Sequence, residues 1–136
     1  MARAGLKIKI KERAFTGKVK KLIEFNLGTV GAFLVRRLQA QVDVPYPPAS
    51  RVGESPHKRK GMAGGLQGSF KFIVRRRLTG ITLTVFTNQV YALRLEFGFV
   101  GVDRAGRNIN QGPRPYWRVV MDANKRMIGV GVARDP

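Results

Sequence analysis

Cysteine is absent from the 136 residues, and with it go disulfides, thiolate nucleophiles and Cys-based zinc or iron–sulfur sites. Histidine occurs once, as His57, between Pro56 and Lys58-Arg59-Lys60. A single imidazole among cations has no carboxylate neighbour to complete a triad, and reads as an exposed loop residue. Acid is scarce: Asp and Glu number 8 against 26 Lys and Arg, for a net charge of +18. The acids show no Asp-x-Asp spacing, so no metal site is expected. Gly61-Met-Ala-Gly-Gly65 lacks the Gly-Lys-Ser/Thr of a phosphate loop. Long apolar runs are also missing. No stretch approaches a membrane span, and Met1 to Ile10 has no continuous apolar run of the signal-peptide kind. The expectation is a soluble chain with no catalytic residue, no cofactor, no metal and no membrane contact.

What is present is enough apolar material for one core. Hydrophobic residues make up 43% of the chain, the length of one domain, taken as residues 1–136. The positive charge is spread along the chain, heaviest in its N-terminal part. A one-sign surface of this kind calls for nucleic acid, an anionic membrane or an acidic protein as neighbour.

The hydrophobic pattern predicts an α+β fold. Leu6, Ile8 and Ile10 alternate with Lys7, Lys9 and Lys11, as in an edge strand with one wet face. From Val19 to Val42 apolar residues recur every three or four positions, which predicts one amphipathic helix over about 17–42. Gly28 and Gly31 inside it point to a bend or a close crossing. Val44-Pro45-Tyr46-Pro47-Pro48 ends it, and residues 43–65 read as a long, mobile, cationic loop. Residues 69–77 and 81–87 alternate around Leu78-Thr79-Gly80 and predict a β-hairpin, with Arg75-Arg76-Arg77 exposed at its tip. A short helix is expected up to Gly98, then a second flexible loop over 99–112, rich in Gly and Asn. A last helix follows over about 115–127, started by Pro115. The architecture expected is an antiparallel sheet with the long N-terminal helix and the C-terminal helix packed on it, joined by long mobile loops.

Glu96 stands out between Leu95 and Phe97. It suits a pairing with Arg94, Arg114 or Arg118, or a salt bridge between subunits. Tyr116 and Trp117 suit either ordinary core or the aromatic centre of an interface. The clusters Lys58-Arg59-Lys60 and Arg75-Arg76-Arg77 suit contact with DNA or an acidic partner, or a solvated surface.

Four segments in order resemble a known family. Ala63-Gly64-Gly65-Leu66-Gln67-Gly68-Ser69-Phe70 is similar to a Thr-Gly-x-Leu-x-x-Ser-Ile/Phe segment, with Ala63 in place of Thr. Tyr91-Ala92, Glu96-Phe97-Gly98 and Arg114-Pro115-Tyr116-Trp117-Arg118 follow. Together they resemble the small tail-component or neck proteins of long-tailed bacteriophages, over roughly residues 17–127. The resemblance implies a structural virion protein of the phage neck or tail, made in the host cytoplasm. Such a protein forms a homo-oligomeric ring, a hexamer or dodecamer, at the head–tail junction. Its neighbours there would be the connector or head-closure proteins and the tail-tube or tail-terminator proteins, with packaged DNA in the channel. On this reading Tyr91, Glu96, Phe97, Arg114, Tyr116, Trp117 and Arg118 are candidates for the assembly surface. The competing reading is a basic nucleic-acid-binding protein without enzymatic activity.

Overall fold

A computed structural model describes residues 4–11, 17–45, 48, 50–57, 65–77, 80–89, 91–102, 104–126 and 128. Strand β1 (Ala4–Lys11) opens the chain and helix α1 (Gly17–Gln41) follows. After a one-turn helix α2 (Leu66–Ser69) come strands β2 (Lys71–Arg77) and β3 (Gly80–Thr87). Helix α3 (Ala92–Phe97), strands β4 (Phe99–Val102) and β5 (Asn108–Gln111), and helix α4 (Trp117–Ala123) complete the fold. The chain is α+β, as its periodicities predict.

β1, β3 and β2 form an antiparallel sheet in that order, so the Lys-bearing β1 is an edge. Register decides which side chains share a face. Leu6, Ile8 and Ile10 lie opposite Val85, Leu83 and Ile81, and Phe72 and Val74 lie opposite Val85 and Leu83. This apolar face packs against α1, whose Leu27, Val30, Leu34 and Leu38 are buried. Gly31 is the point of closest approach. A Cβ there would meet Phe72 Cδ2 at 2.6 Å and Leu83 Cδ1 at 2.8 Å. A side chain at this position would push the helix off the sheet. Gly28 faces open space, so the crossing belongs to Gly31 alone.

Two loop expectations change. The stretch over 99–112 is not a flexible loop but a second antiparallel ribbon, with Val100 opposite Asn110 and Val102 opposite Asn108. Its Gly and Asn content hid an alternation of Val and Ile with small or polar residues, and Gly106 makes the turn at φ +78°. The stretch over 43–65 is tied down in its described part. Gln41 Nε2 donates to Ser55 Oγ, which donates in turn to the Pro115 carbonyl, both at 2.8 Å. The Gly53 N–H donates to the Pro113 carbonyl at 2.8 Å. His57 donates from Nδ1 to the Pro48 carbonyl at 2.6 Å, since a carbonyl oxygen can only accept. Residues 50–57 therefore form a strap across the entry to α4. The final helix runs over Trp117–Ala123, and helical residues resume at Lys125, Arg126 and Ile128, with the Ile128 N–H donating to the Asn124 carbonyl at 2.9 Å. The Leu78-Thr79 turn and the residues after Ile128 lie outside the described residues.

Candidate functional site

Helix α4 has seven residues and no local side-chain cap. Its first N–H groups would otherwise lack acceptors. Glu96 supplies them from the last turn of α3. Oε2 accepts from the Tyr116 N–H at 2.8 Å and the Trp117 N–H at 3.0 Å, and Oε1 accepts from the Arg118 N–H at 3.0 Å. Glu96 is 4% exposed, so this is a buried carboxylate with three backbone donors on it. Such charge-assisted bonds are about twice as strong as neutral ones.

The expected arginine partner is therefore replaced by backbone. Arg118 contributes its N–H to Glu96 while its side chain is exposed. The Arg114 guanidinium donates to the Ser50 carbonyl at 3.3 Å and its N–H to the Leu95 carbonyl at 2.6 Å. The alternative of a salt bridge to a second subunit is likewise overturned. Both carboxylate oxygens are engaged inside the chain, and the side chain is buried.

Tyr116 closes the same unit. It is fully buried and its hydroxyl donates to the Ala92 carbonyl at 3.0 Å. Burial pushes the Tyr116 pKa well up from its ordinary 10.0, and the nearby Glu96 and Tyr91 push it the same way. The Phe70 ring lies 5.9 Å from that of Tyr116 and 6.2 Å from that of Trp117. Ser69, one residue before Phe70, donates to the Leu66 carbonyl at 2.7 Å, and its hydroxyl lies 2.6 Å from the Thr87 hydroxyl. Gly98 leaves α3 with φ +78°, and a Cβ there would stand 2.7 Å from the Gln111 carbonyl oxygen. The four sequence segments thus converge on one packed clamp. Of the two readings for Tyr116, core within the subunit holds.

The remaining candidates lie at the edge of the clamp or beyond it. Trp117 is half-buried, Tyr91 is at the margin of exposure, and Phe97 is 68% exposed. Phe97 leads into the β4–β5 ribbon, where Val100 is 79% exposed and Val102 is 59% exposed. Among the described residues the ribbon pairs with no other strand, and Arg94 lies 4.0 Å over the Phe99 ring at its base. The sequence reading missed Val100 and Val102. Their spacing of two was the available signal.

The arginine run is divided by strand geometry. Arg76 points to the helix side, opposite Ile81, and bonds Glu24 of α1. Arg75 and Arg77 point the other way. Across Thr82 from Arg75 lies Lys9, and across Thr84 from Ile73 lies Lys7. Lys71 lies opposite Phe86 on the same face. All five cations are exposed, and β1, β2 and β3 contain no acidic residue. Sequence reading treated Lys7 and Lys9 as a wet strand face and Arg75 to Arg77 as one cluster. Only the register brings the two groups together. Lys58, Arg59 and Lys60 lie outside the described residues.

Among the described residues no three His, Asp or Glu side chains gather in a way that could hold a metal ion. No described helix is long and apolar enough to cross a membrane. Comparisons with family models, curated proteins and solved structures return no match for the chain.

Proposed function

We propose that this chain is a non-enzymatic structural subunit of a tailed-phage virion. It forms a ring at the neck or tail-completion position and joins the connector to the tail tube. The observation that carries the reading is the convergence of the four family-like segments. Ser69-Phe70, Ala92, Glu96-Phe97-Gly98 and Arg114 to Arg118 meet around Tyr116 and Glu96. Segments kept in order because they build one clamp are a stronger mark of a shared fold than four separate short matches.

The surface supports assembly. A two-stranded ribbon alone in water is marginal, and this one carries exposed valines with Phe97 at its base. Leu22 and Phe25, 41% and 71% exposed, form a second apolar patch on α1. Two different patches on one chain suit a head-to-tail contact, the kind that closes a ring. The assembly surface within the 91–118 stretch is accordingly Phe97 and the ribbon, with Glu96 and Tyr116 holding them from inside.

The test is assembly on a tail. Purified chain mixed with tail tubes is expected to form rings at the tube end, seen by electron microscopy. Val100→Asp with Val102→Asp is expected to stop ring formation while circular dichroism stays unchanged. A chain that stays monomeric and never joins tails or virions overturns the reading.

A further inference from the structure

The sheet has two faces, and the structure gives a role to only one of them. The face against α1 is the core. The opposite face carries charge of one sign, interrupted by Ile73 and Phe86. β1 contributes Lys7 and Lys9, β2 contributes Lys71, Arg75 and Arg77, and β3 runs between them with Thr82 and Thr84. Lys7, Lys9, Arg75, Arg77, Thr82 and Thr84 line a shallow groove along the middle strand, and Lys71 lies beyond it. We propose that this face binds the sugar–phosphate backbone of double-stranded DNA without reading its sequence. The proposal goes beyond the neck reading and does not rest on it.

Three observations point to DNA rather than to another anion. The first is repetition. Lys7 and Lys9 on β1, and Arg75 and Arg77 on β2, are each two residues apart, so each pair stands about 6.8 Å apart along its strand, with Lys71 beyond Ile73 on β2. A polymer with one charge per nucleotide meets such a rail in a way that an irregular acidic protein surface does not. The second is the pair of rails. β1 and β2 flank β3, so their cations lie about 10 Å apart across the sheet. A duplex presents two phosphate lines across grooves about 6 and 12 Å wide, which bracket that separation. A single strand presents one line. The third is the company the cations keep. Thr84, half-buried, sits between the rails, and a hydroxyl beside Lys and Arg is a phosphate-contacting group. β1, β2 and β3 carry no Asn or Gln to read adenine and no Asp or Glu to read cytosine. The charge is also unspent: Arg76, on the other face, has Glu24, whereas none of these five has a carboxylate partner among the described residues.

The experiment is fluorescence anisotropy of the full chain with a short random-sequence duplex, from about 50 to 200 mM salt. Lys7→Gln, Lys9→Gln, Arg75→Gln and Arg77→Gln together remove four charges from the face. Lys18→Gln, Lys21→Gln, Arg36→Gln and Lys125→Gln remove four exposed charges elsewhere. The face variant is expected to bind at least tenfold more weakly and to lower the slope of log K against log salt by about 3.6, at about 0.9 per phosphate contact. The other variant is expected to keep most of the affinity. Equal losses in both would mean a diffuse charge effect and overturn the proposal. So would no duplex binding at low salt, tighter binding to a single strand than to the duplex, or binding to polyglutamate but not to DNA. Should the face variant fail to fold, lysine acetylation of the unaltered chain decides. Protection of Lys7, Lys9 and Lys71 by DNA, with Lys18 and Lys21 still reactive, supports the assignment, and the reverse pattern refutes it. DNA binding through this face by a chain that never joins a tail would remove the neck reading and leave this one standing.

Discussion

The clamp around Glu96 and the outer face of the sheet handle charge in opposite ways. At the clamp a single carboxylate is buried, and both its oxygens accept from backbone donors. On the sheet face five cations stand in water without an acid among the described residues facing them. The first arrangement stabilises the subunit, because a buried ion with full hydrogen bonding is costly to disturb. The second does nothing for the subunit and works slightly against it through repulsion. Interactions complete within one chain belong to its fold. Charge left uncompensated on a regular surface belongs to what the chain meets.

The largest effect that would break this contrast is at Glu96. Glu96→Gln is nearly the same shape but brings an NH2 group against N–H donors, so one oxygen is lost and a donor clash is created. The expected cost is about 2–4 kcal/mol, read as a fall in the midpoint of urea unfolding. A loss below about 0.5 kcal/mol would show that the clamp is not what holds α4.

Tyr116→Phe sharpens the same side with a pH signature. Removing the hydroxyl bond to Ala92 is expected to cost about 1 kcal/mol near neutral pH. The folded pKa of Tyr116 lies above its unfolded value of 10.0. Below pH 10 both states hold the proton and the stabilisation is complete. Above it the unfolded chain releases the proton first, so folding stability falls as pH rises towards the folded value. The gap between the unaltered chain and Tyr116→Phe is therefore expected to shrink above about pH 10. Urea titrations at a series of alkaline pH values read this directly, and a constant gap would contradict it.

The smallest effect separates neighbours in the arginine run. Arg76→Ala is expected to cost about 0.2–1 kcal/mol, because it breaks an ion pair near the surface with Glu24. Arg75→Ala, one residue away on the open face, is expected to be neutral for stability or slightly favourable, while weakening DNA binding. Equal stability losses from both would dissolve the distinction between the two faces.

Much of the fold was legible along the chain. Lys7 to Ile10 announced β1 by strict alternation, and the three- and four-residue spacing from Val19 onward announced α1 to within a residue. Gly31 was readable as a close crossing, but not its distinction from Gly28, which depends on which face the sheet covers. The ribbon of β4 and β5 was hidden because its strands are only four residues each and Gly and Asn are scattered through 99–112. The strap over 50–57 was hidden for a different reason. Its bonds run to Gln41, Pro113, Pro115 and Arg114, far along the chain, and no local pattern encodes them.

The sequence by itself determined the class of fold, the chemical temperament of the surface and the order of four recognisable segments. Those properties depend on residue type and short-range period, which are local. Tertiary structure alone decided that Glu96 is a cap and not an ion pair, and that Tyr116 belongs to the core. It also decided that lysines of the first strand and arginines of the second stand on one face across a row of threonines. Each of these depends on which distant backbone atoms come within about 3 Å, or on strand register. A shift of register by one residue would exchange the two faces of a strand without changing a single letter of the sequence.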